Sequence, residues 1–393
     1  MIYLDYHATT PVDPRVADRV YHYMTQEFGN ASSTDHEWGD RAEAAVKQAA
    51  KQVADLVGAS PKDIIWTSGA TESINLAIQG SPPAPLFRSG RGARGEGKHR
   101  IGLMPLEHKA VLDTCQALEH RGWAELIYLK VDAKGRLDLD QLEQVCADGL
   151  SLLCVMVANN EIGNIYPIQA IAQIAQRYNV PLLCDGSQAV GKIPIQFEAW
   201  GITYLAISAH KLYAPKGMGA LVVRKNCRLE PLIFGGGHQR GMRSGTLNVP
   251  GIVGLGEACR LRSLEMAADE WAIATKRDKL QNLLLEKIAG LVINGDTANR
   301  LAGNLHISIP GIPNSAVIAR IRHRLAISTG SACSSGVEAP SHVLQALKLP
   351  QDALNGALRI SLGKFTTDTD VEQAGNLIAD TVSQICQSLY AAS

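Results

Sequence analysis

The chain has no Cys-x-x-Cys pair, no excess of either charge, no internal repeat and no apolar run long enough to span a bilayer. Each absence removes a class of protein. The eight cysteines are scattered, so neither a disulfide framework nor a zinc site is expected, and the thiols should be reduced and mostly buried. Lys plus Arg and Asp plus Glu number 38 each, so no overall positive field favours nucleic acid or an anionic membrane, and small molecules and proteins are the expected partners. The start, Met1-Ile2-Tyr3-Leu4-Asp5, lacks the basic and apolar regions of a signal peptide, which predicts a cytoplasmic location.

What is present is enough for a large core. With 46% hydrophobic and 19% charged residues among 393, the composition predicts a soluble globular protein of two domains. Short apolar runs at 64–67, 101–104, 126–129, 152–157, 182–184, 205–207 and 220–223 read as strands. Helical periodicity at 41–57, 73–79, 109–120, 139–147 and 168–178 separates several of them. This alternation predicts a mostly parallel sheet covered by helices on both faces. The segment 81–100, rich in Pro, Gly and Arg, reads as an exposed connection. After a Gly-rich basic loop at 234–246, a long helical region leads to a smaller α+β unit. Its strands are predicted at 305–309, 325–328 and 358–360, and its helices at 316–324 and 370–390.

In such folds ligands bind beyond the carboxyl ends of the strands. The residues there are Thr71, His108, Asn159-Asn160-Glu161, Asp185-Gly186-Ser187-Gln188 and Ser208-Ala209-His210-Lys211. Ser68-Gly69-Ala70-Thr71-Glu72, between a strand and a helix, can hold a phosphate on free amides and the Thr71 hydroxyl, or be only a tight turn. Pyridoxal phosphate needs a lysine for its aldehyde, an anion cup, a carboxylate at the ring nitrogen and a group that stacks on the ring. Lys211, the Thr71 turn, Asp185 and His108 offer one of each. Asp185 read alone is as readily a turn aspartate, and His108 a helix-start residue. Cys333 differs from the other cysteines because it lies in Ser328-Thr329-Gly330-Ser331-Ala332-Cys333-Ser334-Ser335-Gly336, which reads as a mobile loop that would let a thiolate approach and leave.

The order and spacing of several stretches carry a resemblance. They are Tyr3-Leu4-Asp5-Tyr6 with Ala8-Thr9-Thr10-Pro11, Thr67 to Ser73, Glu107-His108-Lys109-Ala110-Val111, Asn159-Asn160-Glu161-Ile162-Gly163, His210-Lys211, Gly235 to Thr246, and Gly330-Ser331-Ala332-Cys333. Together they resemble the cysteine desulfurases of the NifS/IscS type, within the fold-type I, class V aminotransferase-like enzymes. The resemblance implies a large pyridoxal-phosphate-binding domain over 15–255, and a small domain of 1–14 with 256–393 that carries the cysteine loop. It implies that Lys211 holds the cofactor, Asp185 pairs with its ring nitrogen, Gln188 donates to its ring oxygen and His108 stacks on it. Ala70, Thr71, Ser208 and His210 form the phosphate cup. Thr246 reaches the phosphate of the other subunit of a homodimer, Asn160 lies against the cofactor, and Asn160 and Arg359 hold the substrate carboxylate. A guanidinium fork suits that task, although Arg359 alone reads as a strand-edge surface charge.

The implied activity is conversion of L-cysteine to L-alanine, with the Cys333 thiolate taking the sulfur as a persulfide for iron-sulfur cluster or related biosynthesis. The stretch Val337 to Ser341 resembles the long-loop class, which implies direct delivery to an acceptor such as an iron-sulfur scaffold. The extended tail with which some relatives hold that scaffold has no counterpart here, so the acceptor is not assigned. A selenocysteine or cystine lyase on the same fold is the neighbouring reading. A noncatalytic platform for sulfur carriers is the distant one, and a platform needs none of Lys211, Asp185, His108 and Cys333. Ala209 and Ala214 stand where the family commonly has glycine, so a positive φ at either would be strained. His7 and Gly186-Ser187 are further departures.

Overall fold

The computed structural model describes residues 1–81, 98–227, 229–329 and 341–390. Among these, seven strands form one sheet in the order Ile64–Thr67, Gly219–Val223, Tyr204–Ser208, Leu182–Asp185, Leu152–Cys154, His99–Leu103, Ala124–Tyr128. Gly219–Val223 runs antiparallel to both its neighbours and the other pairings are parallel. The sheet is therefore mostly parallel, as the alternation predicts. Most of the predicted 81–100 connection lies outside the described residues.

Period-2 alternation explains why both faces are covered. Ile64, Trp66, Leu153, Leu182, Leu205 and Ile207 enter one core. Ile65, Leu152, Cys154, Leu183, Tyr204 and Ala206 enter the other. Helices Glu37–Val57 and Ile168–Arg177 close the first face through Val53 and Ile171, and helices Ala70–Gly80 and Lys109–His120 close the second through Ile74 and Val111. Each fully buried aliphatic side chain contributes about 1.5–3 kcal/mol.

Helix Val249–Lys287 runs without interruption from one core to the next. Its first half, with Ile252 and Leu255, packs on the large sheet, and its second half, with Ile273, Leu280 and Leu284, packs on a separate core. That core is built on a sheet ordered Ala357–Ser361, Asn304–Ser308, Val292–Ile293, with helices Asn314–Ile321 and Asp368–Tyr390. Ile2–Tyr3 pairs in parallel with Leu325–Ala326, so the N-terminus belongs to this second layer system.

Most element boundaries fall within three residues of the sequence reading. The helix read from 41 begins at Glu37, because His36 caps it by accepting from Gly39 N; it ends where Gly58 takes the left-handed conformation at φ 68°. The strand read at 152–157 stops at Cys154; Val155 N and Val157 N still donate to Leu183 O and Asp185 O at 3.0 and 2.9 Å, while Met156 N turns to the Glu107 side chain. Helix Pro14–Thr25 has no counterpart in the sequence reading. Its signal was Asp13-Pro14, an N-cap followed by proline at the first helical position.

Candidate active site

Strand direction brings the candidate residues to one edge. The strands ending at Thr67, Leu103, Cys154, Asp185 and Ser208 point the same way. Their following turns carry Thr71, His108, Asn160, Gln188 and Lys211. Where strand Gly219–Val223 begins, its backbone comes so near the Thr71 turn that a Cβ on Gly219 would lie 2.6 Å from Gly69 Cα. Gly186 is also closely packed: a Cβ there would lie 2.7 Å from Leu205 Cδ1 and 3.0 Å from the backbone oxygen of Ala206. This accounts for the glycine beside Asp185.

Lys211 ends a short 3-10 turn, Ala209–Lys211, directly after strand Tyr204–Ser208. Its Nζ donates to the carbonyl oxygens of His7 at 2.5 Å and Ala8 at 2.7 Å. The N-terminal segment is fastened to the same turn. Thr10 N donates to His210 O at 2.9 Å, Tyr213 N donates to Thr10 Oγ1 at 2.8 Å, and His210 Nδ1 lies 3.1 Å from Thr9 Oγ1. Burial, then the charges of Lys192 and Arg359, bring the Lys211 pKa down to about 7. A large share of the amine is therefore unprotonated near neutrality, the form that adds to an aldehyde. Burial and the nearby lysines likewise lower His210 to about 4, so its imidazole is neutral.

The expected strain at the glycine-to-alanine departures does not occur. Neither Ala209 nor Ala214 has positive φ, and both are buried. The left-handed residue is Tyr213, at φ 65°. It is held by Thr10, by the Lys364 backbone N–H on its hydroxyl at 3.0 Å, and by the Lys364 ammonium 4.5 Å from its ring centroid. The strain of such a residue, about 1–3 kcal/mol, thus sits two residues beyond Lys211.

Asp185 is the buried last residue of its strand, and its Oδ1 accepts from Ser187 N at 2.8 Å. His108 is exposed and caps helix Lys109–His120, its Nδ1 accepting from Ala110 N at 3.1 Å. The helix-start and turn readings are therefore geometrically realised, and among the described residues each side chain keeps an end without a hydrogen-bond partner: Nε2 on His108 and the second oxygen on Asp185. The neighbouring Glu107 is fully buried, with Oε1 accepting from Met156 N at 2.7 Å and Oε2 without a partner among the described residues, and burial pushes its pKa well up. Helix Ala70–Gly80 has no side-chain cap, so the amides of its first turn remain available to an anion beside exposed Thr71. Ser208 is buried, Ala70 half-buried and Thr246 exposed.

The Gly-rich loop is clamped to this turn. Arg243 Nε donates to Glu72 at 2.8 Å, and Glu72 also accepts from Ser68 N at 2.8 Å. Gln239 donates to and accepts from the Trp66 backbone. The sequence reading singled out neither pair.

Arg359, on the strand Ala357–Ser361, is 6% exposed. That excludes a surface charge. Its Nη2 donates to Asp5 at 2.9 Å and its Nη1 to Asn160 O at 3.1 Å, while Nε is buried without a partner among the described residues. Gln188 donates from Nε2 to His7 O at 2.8 Å and accepts on Oε1 from Lys192 at 2.9 Å. Two cations, Lys192 and Arg359, thus gather beside the Lys211 amine, where Asp5 and Asp185 are the anions acting on it, a balance suited to an anionic ligand. These parts fit pyridoxal phosphate: a buried carboxylate and, among the described residues, an amine without a carboxylate contact and a helix start without a side-chain cap.

Cys333 lies outside the described residues. The chain on either side of it is placed. Ser328 exchanges backbone hydrogen bonds with Arg359 at 3.1 and 2.7 Å. Ser341 Oγ donates to Glu161 at 2.5 Å, and His342 Nε2 lies 2.9 Å from Glu107 O. The seven described cysteines are free. Burial pushes the thiol pKa up at Cys146, Cys154, Cys184, Cys227 and Cys259, with a hydrogen bond from Cys115 the larger cause at Cys154. Among the described residues no helix is long and apolar enough to cross a membrane.

The chain belongs to the class-V aminotransferase family, whose model matches residues 2–374. It is 43% identical over 386 residues to the cysteine desulfurase IscS of Anaeromyxobacter sp. (strain K), covering 98% of this chain and 93% of that one. It is 44% identical over 388 residues to the cysteine desulfurase IscS of Aeromonas salmonicida, with the same coverage. Among solved structures, a NifS-like protein superposes with a TM-score of 0.88 at 34% identity, over 97% of this chain and 99% of that one. A family of this kind generally uses pyridoxal phosphate.

Proposed function

We infer that the chain is a cysteine desulfurase, converting L-cysteine to L-alanine and taking the sulfur onto Cys333 as a persulfide. One observation carries this reading. The segments flanking Cys333 end against the candidate site, Ser328 on the Arg359 backbone and Ser341 on Glu161.

Pyridoxal phosphate, when bound, supplies an electron sink that weakens bonds at the substrate's carbons. The chain's own groups hold and steer. Lys211 would bind the cofactor aldehyde, Asp185 would pair with the ring nitrogen, Gln188 would donate to the ring oxygen, and His108 would stack on the ring with Nε2 able to move a proton. Ala70, Thr71, Ser208 and His210 would hold the phosphate with the first-turn amides of Ala70–Gly80, and Thr246 would serve the phosphate of a second copy in a homodimer. Asn160 would help to hold the cofactor, and Arg359 would take the substrate carboxylate. The Cys333 thiolate forms the new sulfur-sulfur bond as the substrate carbon-sulfur bond breaks; the electron pair of that bond stays with the substrate carbon, which takes up a proton and leaves as alanine. A protein acceptor in the cytoplasm, such as an iron-sulfur scaffold, then receives the sulfur. The division into 15–255 and 1–14 with 256–393 belongs to this reading and is supported by the two separate cores.

Steady-state alanine release from L-cysteine by the loaded protein tests it. Cysteine turnover that survives Cys333→Ala would instead favour the lyase reading.

A further inference from the structure

Lys192 lies four residues beyond Gln188, behind the site, and no site role follows for it from the sequence motifs. We propose that Lys192 is a positioning residue: its ammonium locks the Gln188 amide with Nε2 toward His7 and Lys211, so that Gln188 can only donate into the site. An ammonium has donors and no acceptor, so the amide end 2.9 Å from Lys192 Nζ must be the oxygen. That assignment leaves Nε2 at 2.8 Å from His7 O, the carbonyl that also accepts from Lys211 at 2.5 Å. An amide nitrogen carries two hydrogens, so one remains after His7 is served. Turning the amide over would set donor against donor at Lys192 and acceptor against acceptor at His7, losing both contacts.

The lysine is itself held from behind. Arg262, 1% exposed on helix Val249–Lys287, donates to Gly191 O at 2.7 Å, to Glu270 at 2.9 Å and to Asp269. This fixes the backbone just before Lys192. The charged groups acting on Lys192 are Glu270 and Arg262 from the long helix and Arg359 from strand Ala357–Ser361. Those acting on Lys211 are Lys192, Arg359, Asp5 and Asp185. Burial lowers Lys192 to about 8, against the attraction of Glu270, so it is mainly a cation at pH 7.

The inference rests on the reading that Gln188 meets the cofactor's ring oxygen. A donor there favours the anionic oxygen, and so lowers the pH at which the Lys211-bound group releases its proton. The test is a spectrophotometric pH titration of the visible band of the loaded protein in a double-mutant cycle. Lys192→Met should raise the midpoint by about one unit, and by less than half as much in a Gln188→Ala background. Lys192→Arg, another donor without an acceptor, should keep the wild-type midpoint. If Lys192→Met does not load, Lys192→Gln takes its place in the cycle. Equal shifts in both backgrounds would mean that Lys192 acts by charge alone, and no shift in either would mean that it does not act; both overturn the proposal. An unmoved midpoint in Gln188→Ala alone would instead overturn the placement of Gln188 at the ring oxygen, and a wild-type protein without a visible band would overturn the cofactor reading itself.

Discussion

Lys211 Nζ donates to the Ala8 carbonyl oxygen at 2.7 Å across 203 residues of sequence. The N-terminal segment is thereby part of the lysine's surroundings, and the amine is held by backbone dipoles in place of a carboxylate. A carboxylate contact would stabilise the ammonium; burial among other cations does the opposite.

With its pKa brought down to about 7, Lys211 loses its proton as pH rises through neutrality, so loading of the cofactor-free protein with pyridoxal phosphate should accelerate between about pH 6 and 8 and then level off. Stopped-flow absorbance measures the rate. A midpoint near 10, the value of a solvated lysine, would contradict the assignment.

Lys211→Ala should abolish the visible band of the loaded protein. Lys192, whose charge acts on Lys211, has its ammonium committed to Gln188. A normal spectrum in this variant would remove Lys211 from its role.

Arg359→Lys should raise KM for L-cysteine by about tenfold to a hundredfold with a smaller change in kcat, since a charged, forked hydrogen bond contributes about 1.5–3 kcal/mol. Steady-state kinetics separates the two constants. An unchanged KM would place the substrate carboxylate elsewhere.

Ala209→Gly should destabilise the protein by about 0.5–1 kcal/mol, although the family commonly has glycine there, because Ala209 is buried with helical backbone and no strain to relieve. Denaturant unfolding of the two proteins measures the difference, and a stabilised variant would contradict the observed backbone.

The sheet was legible in the sequence because each strand is a short apolar run with a helix or turn beside it. The carboxyl-edge rule then collected Thr71, His108, Asp185 and Lys211 without knowledge of any contact. What stayed hidden depends on distant partners. His7 and Ala8 lie on Lys211, Asp5 on Arg359, and Glu72 on Arg243, and no local periodicity encodes such pairs. The concern over Ala209 was a local argument too. It failed because the turn places its left-handed residue at Tyr213, where contacts from Thr10 and Lys364 stabilise it.

The most direct test of the account is a single-turnover incubation of the loaded protein with L-cysteine, measuring alanine and protein-bound persulfide together. Wild type should form the two in equal amounts, while Cys333→Ser keeps the visible band and forms neither. Undiminished alanine release by Cys333→Ser would contradict the account.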